Sequence, residues 1–354
     1  MRTNGQHLIG ILADDLTSAA DGAAPFVQRG FRAVVGRHRL PPEEAAIVAV
    51  DSGSRSVASL QAAGRVSDLA KQLASRDVLY KTVDSTLRGH VKAEMEAAFT
   101  ASGRKLLVFA PAFPGAGRTT VSGVQLVDGI PVAETGYGRD PVHPARHSRL
   151  VELVPSSIGN VVILDAATQD ELDAKIAALP DPESILWLGS PGMALALAKR
   201  LAPVQVASDV TMAGSREILV VVGSANPRSH RQADQVGGGR GVALLRAPLE
   251  RIDDPSSILR DIAQAAARKI VDEHFDVVMA TGGETMEAIL VGLDISAFEI
   301  LQELEPGFPL GRASLANGRE LLIAMKAGGF GDDDTLRRAV ARLRACASVS
   351  EKVL

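Results

Sequence analysis

The sequence predicts an α/β protein: two α/β domains with mostly parallel sheets and a ligand cleft between them. Three observations carry this expectation. At 354 residues the chain exceeds one ordinary core. Short aliphatic runs alternate with alanine-rich stretches of helical period, the pattern of α/β layering. Nearly every apolar run ends in a polar or glycine-rich cluster, and beyond the carboxyl ends of the strands is where open α/β sheets bind their ligands.

Taken in order, "HLIGILADD" reads as a strand and "TSAADGAAPFVQRG" as the helix after it. "AIVAVDSG" is a second strand, followed by a helix over Leu60 to Ser75; "DVLYKTVDS" is a third, followed by a helix over Val91 to Ser102. "KLLVFAPA", "NVVILDAA" and "ILWLGS" are further strands, with helices over Glu171 to Ala178 and Met193 to Leu201. In the C-terminal part, "EILVVVGSANP", "GVALLRAP", "FDVVMATGGE" and "ELLIAMKAGGFG" are strands, and helices fall over Ser257 to Glu273 and Thr335 to Ala345. On the last helix Leu336, Val340 and Leu343 share one face, which leaves Arg337, Arg338, Arg342 and Arg344 for a solvated one. The stretch from Pro111 to Pro144 is rich in Gly, Pro and Thr and reads as loops plus a hairpin. A long irregular segment inside a compact domain is usually functional. The domain boundary is expected near Ala202 to Glu217, where periodicity fades before a fresh buried strand begins.

Composition narrows the function. Aromatics make up 3% of the chain and the net charge is -4, which excludes the stacking platforms and basic stripes of nucleic-acid binders. The single cysteine, Cys346, allows neither an internal disulfide nor a cysteine cage for a metal. His143 and His147 have helical spacing, but Pro141 and Pro144 surround them and no third ligand is evident, so zinc is not expected and any metal ligands stay unassigned. The apolar stretch from Leu8 to Ala13 is too short for a signal segment and no stretch is long enough to span a bilayer, so a cytoplasmic protein is expected.

The polar clusters carry the chemistry. Asp14 and Asp15 close the first strand, one placed to cap the next helix and the other to point into a cleft. "KTVDSTLRGH" crowds Lys81, Asp84, Ser85, Thr86 and Arg88 onto one strand-to-helix turn, where cations at a helix N-terminus ask for an anion to compensate them. Arg55 in "DSGSRS" has the same placement. "PAFPGAGRTT" completes neither dinucleotide nor P-loop fingerprint, though its Arg118 can meet a polyol or phosphate. "VVVGSANP", "MATGGETMEAIL" and "KAGGFG" set small residues directly after apolar strands, so that backbone N–H groups can approach a phosphate chain.

Read together, "ADDLTSAAD", "DSGSR", "KTVDSTLRG", "APAFPGAGRTT", "GRDPVHP", "GSANPRSHRQ", "TGGETMEAIL", "PGFPLG" and "KAGGFG" resemble the four-carbon acid sugar kinase family, whose members phosphorylate threonate, erythronate and related tetronates. The resemblance implies a sugar-acid domain over 1–208 and a nucleotide domain over 209–354. It also implies ATP with Mg²⁺, a small sugar acid as partner, no nucleic acid or membrane, and room for a homodimer. Substrate contacts carry over to Asp14, Arg55, Lys81, Thr82, Val83 and Asp84, with Arg118 beside them. Nucleotide contacts carry over to Ser224, Gly282, Gly283, Glu284, Thr285 and Gly328, with Gly329 beside it. Arg55 and Lys81 are then the expected clamps for the substrate carboxylate, and Asp14 the base, with Asp84 the other candidate. Three positions depart from the family pattern: Ser18 stands for a usual glycine, Glu284 for aspartate, and Ala327 for serine or threonine. The chain is also shorter than many members between Gln232 and Pro255. The rival readings are a non-catalytic sugar-acid binder, a kinase of another small hydroxy acid, and a nicotinamide-dependent oxidoreductase.

Overall fold

Aliphatic runs bounded by turns can bury both faces only inside a sheet, and they do so here. The computed structural model describes residues 7–140, 142–202, 204, 217–223, 226–237, 241–248 and 255–348. Contacts divide the chain into two compact units, Met1–Val206 and Ala207–Leu354.

The first unit runs β1 (Ile9–Ala13), α1 (Leu16–Val27), β2 (Ala33–Arg37), β3 (Ile47–Asp51), α2 (Ser59–Leu73), β4 (Val78–Thr82), α3 (Val91–Ser102) and β5 (Leu106–Ala110). Three short strands follow, β6 (Arg118–Val121), β7 (Val124–Val127) and β8 (Ile130–Pro131). Then come β9 (Val161–Ile163), α4 (Gln169–Ala177), β10 (Ile185–Gly189) and α5 (Pro191–Leu201). The main strands pair in parallel in the order β2-β3-β1-β4-β10-β5-β9. Every residue of β1, β3, β4 and β10 is buried, as interior parallel strands covered on both faces require.

Strand alternation then sorts the side chains. Leu12, Val50, Leu79 and Leu188 face one core with Val66 and Leu69 of α2 and Met95 and Ala98 of α3. On the opposite face α1 lies close enough that a Cβ on Gly22 would sit 3.3 Å from the side chains of Ile11 and Tyr80. Its fully buried alanines, Ala19, Ala20 and Ala23, permit that approach. The helices begin where their caps dictate: Asp15 accepts from the Ser18 N–H, Thr168 from that of Glu171, and Ser190 from that of Gly192 with Pro191 in the first turn.

The segment expected to hold a hairpin holds two. β6 and β7 are joined by Ser122-Gly123 (φ 51° and 71°), and β7 and β8 by Asp128-Gly129 (φ 51° and 82°). A two-residue loop with φ positive at both positions matches the right-handed twist of the strands it joins. Gln125, fully buried on β7, donates to the carbonyls of Ser85 (2.8 Å) and Pro111 (3.2 Å) and so fastens this small sheet to the turns after β4 and β5.

The second unit runs β11 (Ile218–Val222), α6 (Pro227–Asp234), β12 (Val242–Arg246), α7 (Pro255–Asp272), β13 (Val277–Thr281) and α8 (Gly283–Gly292). It ends with β14 (Ala297–Glu305), β15 (Phe308–Ser314), β16 (Glu320–Lys326) and α9 (Thr335–Ser348). Its strands lie in the order β12-β11-β13-β16-β15-β14. The first four are parallel, and β15 runs antiparallel to both neighbours. The fold is thus α/β with mostly parallel strands. Neither β14 nor β15 was anticipated, because β14 buries only every second residue and offers no continuous apolar run. On α9 Arg337, Arg342 and Arg344 are exposed, as expected of a solvated face, and Arg338 is half-buried. Arg338 forks onto Glu305 of β14 (2.6 and 2.8 Å), and Arg342 reaches the Leu304 carbonyl.

Candidate active site

In the first sheet the strand order reverses about β1, which has β3 on one side and β4 on the other. A reversal opens a crevice beyond the carboxyl ends of the strands. Asp14 follows β1 on the Leu12 face, and Lys81 near the end of β4 lies on the Leu79 face, so alternation turns both toward α2 and α3. Asp14, Lys81, Val83, Arg88 and Glu94 line a recess there of about 10 Å³, room for about one water and the floor of the crevice.

Arg55 organises the first corner. Its Nε and Nη2 fork onto Asp14 at 2.7 and 2.9 Å, its Nη1 binds Asp15, and its Nη2 lies 3.4 Å from the Ser18 hydroxyl. Asp15 therefore serves twice, as the cap of α1 and as a brace for Arg55. Ser18 adds a hydroxyl to this corner. Burial pushes the Asp14 carboxyl up, but Arg55 and Lys81 outweigh it and hold it below the ordinary carboxylate range. Burial likewise works against the Arg55 charge, and Asp14, Asp15 and Asp84 together raise its pKa well above the usual value.

Lys81 forms the second corner. Its ammonium meets Glu94 at 2.8 Å and the Thr82 carbonyl at 2.8 Å. The other Glu94 oxygen accepts from the Ser54 hydroxyl (2.6 Å), and the Ser52 hydroxyl lies 2.8 Å from that of Ser54 and 2.6 Å from the Ala13 carbonyl, its single proton serving one of the two at a time. This chain ties α3 to the turn after β3. Thr82 itself points away, its methyl lying 3.1 Å from the Cβ that Gly22 would carry, so its part in the site is its carbonyl.

The "DSTLRG" turn forms the third corner. Asp84 accepts from Arg88 Nε at 2.6 Å and from the Thr86 hydroxyl. Burial would raise the Asp84 carboxyl, yet Arg88 and Arg55 bring it well below its ordinary value. Arg88 lies 5.4 Å over the ring of Tyr137 and 3.7 Å from Asp140. Arg118 joins at a distance: its Nη2 donates to the Tyr137 hydroxyl (3.0 Å) and its Nη1 to the Ala116 carbonyl. His143 of "GRDPVHP" meets His90 edge to face at 5.6 Å, and its pKa is lowered by burial, by His90 and by Arg55.

Asp14, Arg55, Lys81, Val83 and Asp84 are thus gathered, with Thr82 present through its backbone and Arg118 one residue removed. Glu94, Tyr137 and Asp140 were not foreseen as site residues. Glu94 left a signal, since a carboxylate sits at a buried position between Val91 and Met95 on the inward stripe of α3. Tyr137 and Asp140 left none beyond lying in the irregular segment.

The second unit gathers the glycine-rich turns. β11, β13 and β16 end side by side, so Gly223, Gly282 and Gly328 come to the same edge. A Cβ on Gly223 would fall 2.2 Å from Thr285 Oγ1, so only glycine fits there. Gly282 (φ 94°) starts α8 without a side-chain cap, which leaves first-turn N–H groups for an anion. Its own N–H donates to the Lys326 carbonyl (2.9 Å). Ser229 donates to the Gly328 carbonyl (2.8 Å), and Arg228 to that of Gly329 (3.2 Å). Thr281 Oγ1, buried at the end of β13, has no hydrogen-bond partner among the described residues. Lys326 is fully buried with only the Ala327 (3.0 Å) and Gly328 (3.4 Å) carbonyls as hydrogen-bond partners among the described residues, and burial with Arg228 nearby pushes its pKa down to about 8. An uncapped helix start, a turn that only glycine can make and an orphaned hydroxyl fit the phosphates of a nucleotide. Glu284 and Thr285 lie in the first turn of α8; Ser224 lies outside the described residues.

Comparison with known proteins agrees with this division. Residues 9–160 match the model of a sugar-binding N-terminal domain, and residues 245–336 that of a nucleotide-binding C-terminal domain. A D-threonate kinase of Bordetella bronchiseptica is 32% identical over 96% of this chain and 98% of its own. A 3-oxo-tetronate kinase of Pectobacterium atrosepticum is 25% identical over 94% and 98%. The crystal structure of a putative tRNA synthase from Salmonella typhimurium LT2 superposes with a TM-score of 0.76, covering 94% of this chain and 98% of that one at 20% identity, a likeness of fold alone. No helix among the described residues is long and apolar enough to cross a membrane.

Proposed function

Because the chain belongs to the four-carbon acid sugar kinase family, we propose that it transfers the γ-phosphoryl group of ATP to a hydroxyl, the terminal one, of a four-carbon sugar acid. The substrate class is a threonate, erythronate or oxo-tetronate. D-threonate stands first because it is the substrate named for the Bordetella relative.

The observation that carries this reading is Asp14: a carboxylate kept ionised by Arg55 and Lys81, aimed into a recess at the reversal point of the sheet. Phosphoryl transfer asks the protein for positioning and charge compensation more than for covalent chemistry. Asp14 accepts the hydrogen bond of the attacking hydroxyl and fixes its direction, and Arg55 holds Asp14 rigid. Lys81 has two of its three N–H groups committed and offers the third to a substrate oxygen. Asp84 holds Arg88 and is the alternative proton acceptor. In the second unit the turns at Gly223, Gly282 to Thr285 and Gly328 to Gly329 hold the ATP phosphates through backbone N–H groups. Glu284 would hold Mg²⁺, whose chemistry is to neutralise charge across the phosphates.

The test is ADP release by the purified chain with Mg-ATP across D- and L-threonate, D- and L-erythronate, their oxo analogues and glycerate. Turnover with a tetronate is expected. Nucleotide binding without turnover on any tetronate would overturn the substrate class, and absence of ATP binding would overturn the kinase reading of this chain.

A further inference from the structure

Four cations lie in or near the recess, and they are not equally committed. Arg55 spends all three of its nitrogens on Asp14 and Asp15. Lys81 is buried against Glu94 with one N–H to spare, a single donor rather than a fork. Arg118, further out, has both terminal nitrogens on Ala116 and Tyr137. Arg88 differs. Its Nε is fixed on Asp84, its Nη1 is 3.7 Å from Asp140, beyond hydrogen-bond range, and its Nη2 makes no hydrogen bond among the described residues. Its side chain lines the recess, stays 31% exposed and has its guanidinium carbon 5.4 Å from the centre of the Tyr137 ring, so the group is held in place with a terminal nitrogen left over.

The backbone supports the same placement. Leu87, on one side of Arg88, has φ 59°, and Gly89, on the other, has φ 91°. A leucine in the left-handed region is costly and persists where the surroundings impose it, which is characteristic of functional turns.

We infer that Arg88 is the specificity-determining residue of the sugar-acid site, its Nη edge forking onto the substrate carboxylate, while Arg55 braces Asp14 and Lys81 binds a hydroxyl oxygen. The inference rests on the proposed sugar-acid kinase activity. It also moves the carboxylate clamp from the residues the sequence suggested to one held by Asp84 and Tyr137.

The experiment compares each tetronate that is turned over with its primary amide, which keeps the hydroxyls and removes the charge. The unmodified chain should prefer the acid by about 10- to 100-fold in kcat/KM, the worth of a charge-assisted fork. Arg88→Gln should bring that ratio to about one, chiefly by raising KM for the acid, whereas Arg55→Gln should lower both activities and keep the ratio. A ratio that survives Arg88→Gln overturns the inference, since a residue that merely braces Asp84 would depress acid and amide alike. Should Arg88→Gln not fold, Arg88→Lys keeps the charge without the fork: a ratio cut several-fold supports the assignment, and an unchanged ratio overturns it. If the unmodified chain turns over no tetronate and binds none by calorimetry, the activity itself fails, an outcome distinct from the other two.

Discussion

The Lys81–Glu94 pair should be one of the strongest energetic couplings in the first unit, and it can be measured without any substrate. The two side chains are 2% and 5% exposed with 2.8 Å between Nζ and Oε2. Removing one partner strands the other as a buried, uncompensated charge, a loss of about 3–5 kcal/mol. Lys81→Met and Glu94→Leu should each cost that much. Glu94→Leu should add about 1 kcal/mol, because the Ser54 hydroxyl loses its acceptor. The double variant leaves no stranded charge and fills the same volume with apolar atoms, so it should cost about 1–2 kcal/mol, far less than the sum. Trp187, the single tryptophan, reports on this unit: it is fully buried in β10, and its neighbour Leu188 lies opposite Lys81 in the sheet register. Urea unfolding followed by its fluorescence should place the single variants about 1–3 M below the unmodified chain, given slopes of about 2–3 kcal/mol/M. Single costs below about 1 kcal/mol, or a double variant equal to the sum of the singles, would refute the reasoning.

Asp84 should govern part of the acid response. Its carboxyl is lowered in the folded chain, so its stabilising contribution is present above the unfolded value of about 3.9 and is lost as pH falls through the folded value. The stability gap between the unmodified chain and Asp84→Asn, from urea titrations between about pH 3 and 7, should be constant above about pH 5 and shrink below about pH 4; a gap that holds or widens on acidification contradicts the assigned shift. At the nucleotide turns, Gly223→Ala drives a methyl to within 2.2 Å of Thr285 Oγ1 and should cost about 1–3 kcal/mol while abolishing the thermal shift produced by ATP. Adding Thr285→Ala removes the contacts at 2.2 and 2.7 Å and should recover part of the stability; no loss from Gly223→Ala would show that the turn has room to spare.

Local chemistry was legible, and long-range chemistry was not. Asp14, Arg55 and Lys81 stand at strand ends, and a strand end can be read from where an apolar run stops. Their arrangement could not be read, because it depends on which strands become neighbours: Arg55 reaches Asp14 only because β3 pairs with β1, and Lys81 reaches Glu94 only because α3 packs under β4. Arg55 and Lys81 thus looked like open clamps and are committed to carboxylates supplied from elsewhere in the chain. Tyr137 and Asp140 come from the irregular segment, whose course is set by two tight hairpins and by Gln125 reaching the Ser85 and Pro111 carbonyls. β14 is hidden for the opposite reason: it alternates buried and half-buried residues, with Gln302 at a buried position, and so shows no continuous apolar run.

The clasp of Arg55 on Asp14 and Asp15 also bears on the medium in which the chain works. A site with bare guanidinium and ammonium groups would fill with chloride or inorganic phosphate, and a scarce organic acid would have to compete with them. Here Arg55 and Lys81 are already neutralised by carboxylates of the same chain, at distances no bulk ion can improve on. Simple anions therefore gain little at Arg55 and Lys81, and compete with the substrate at the Nη edge of Arg88. Under the proposed function, a solute that brings hydroxyls for Asp14 and Lys81 together with a carboxylate for Arg88 would gain at several points at once, so the protein's own acids would favour it over small ions before any shape is tested.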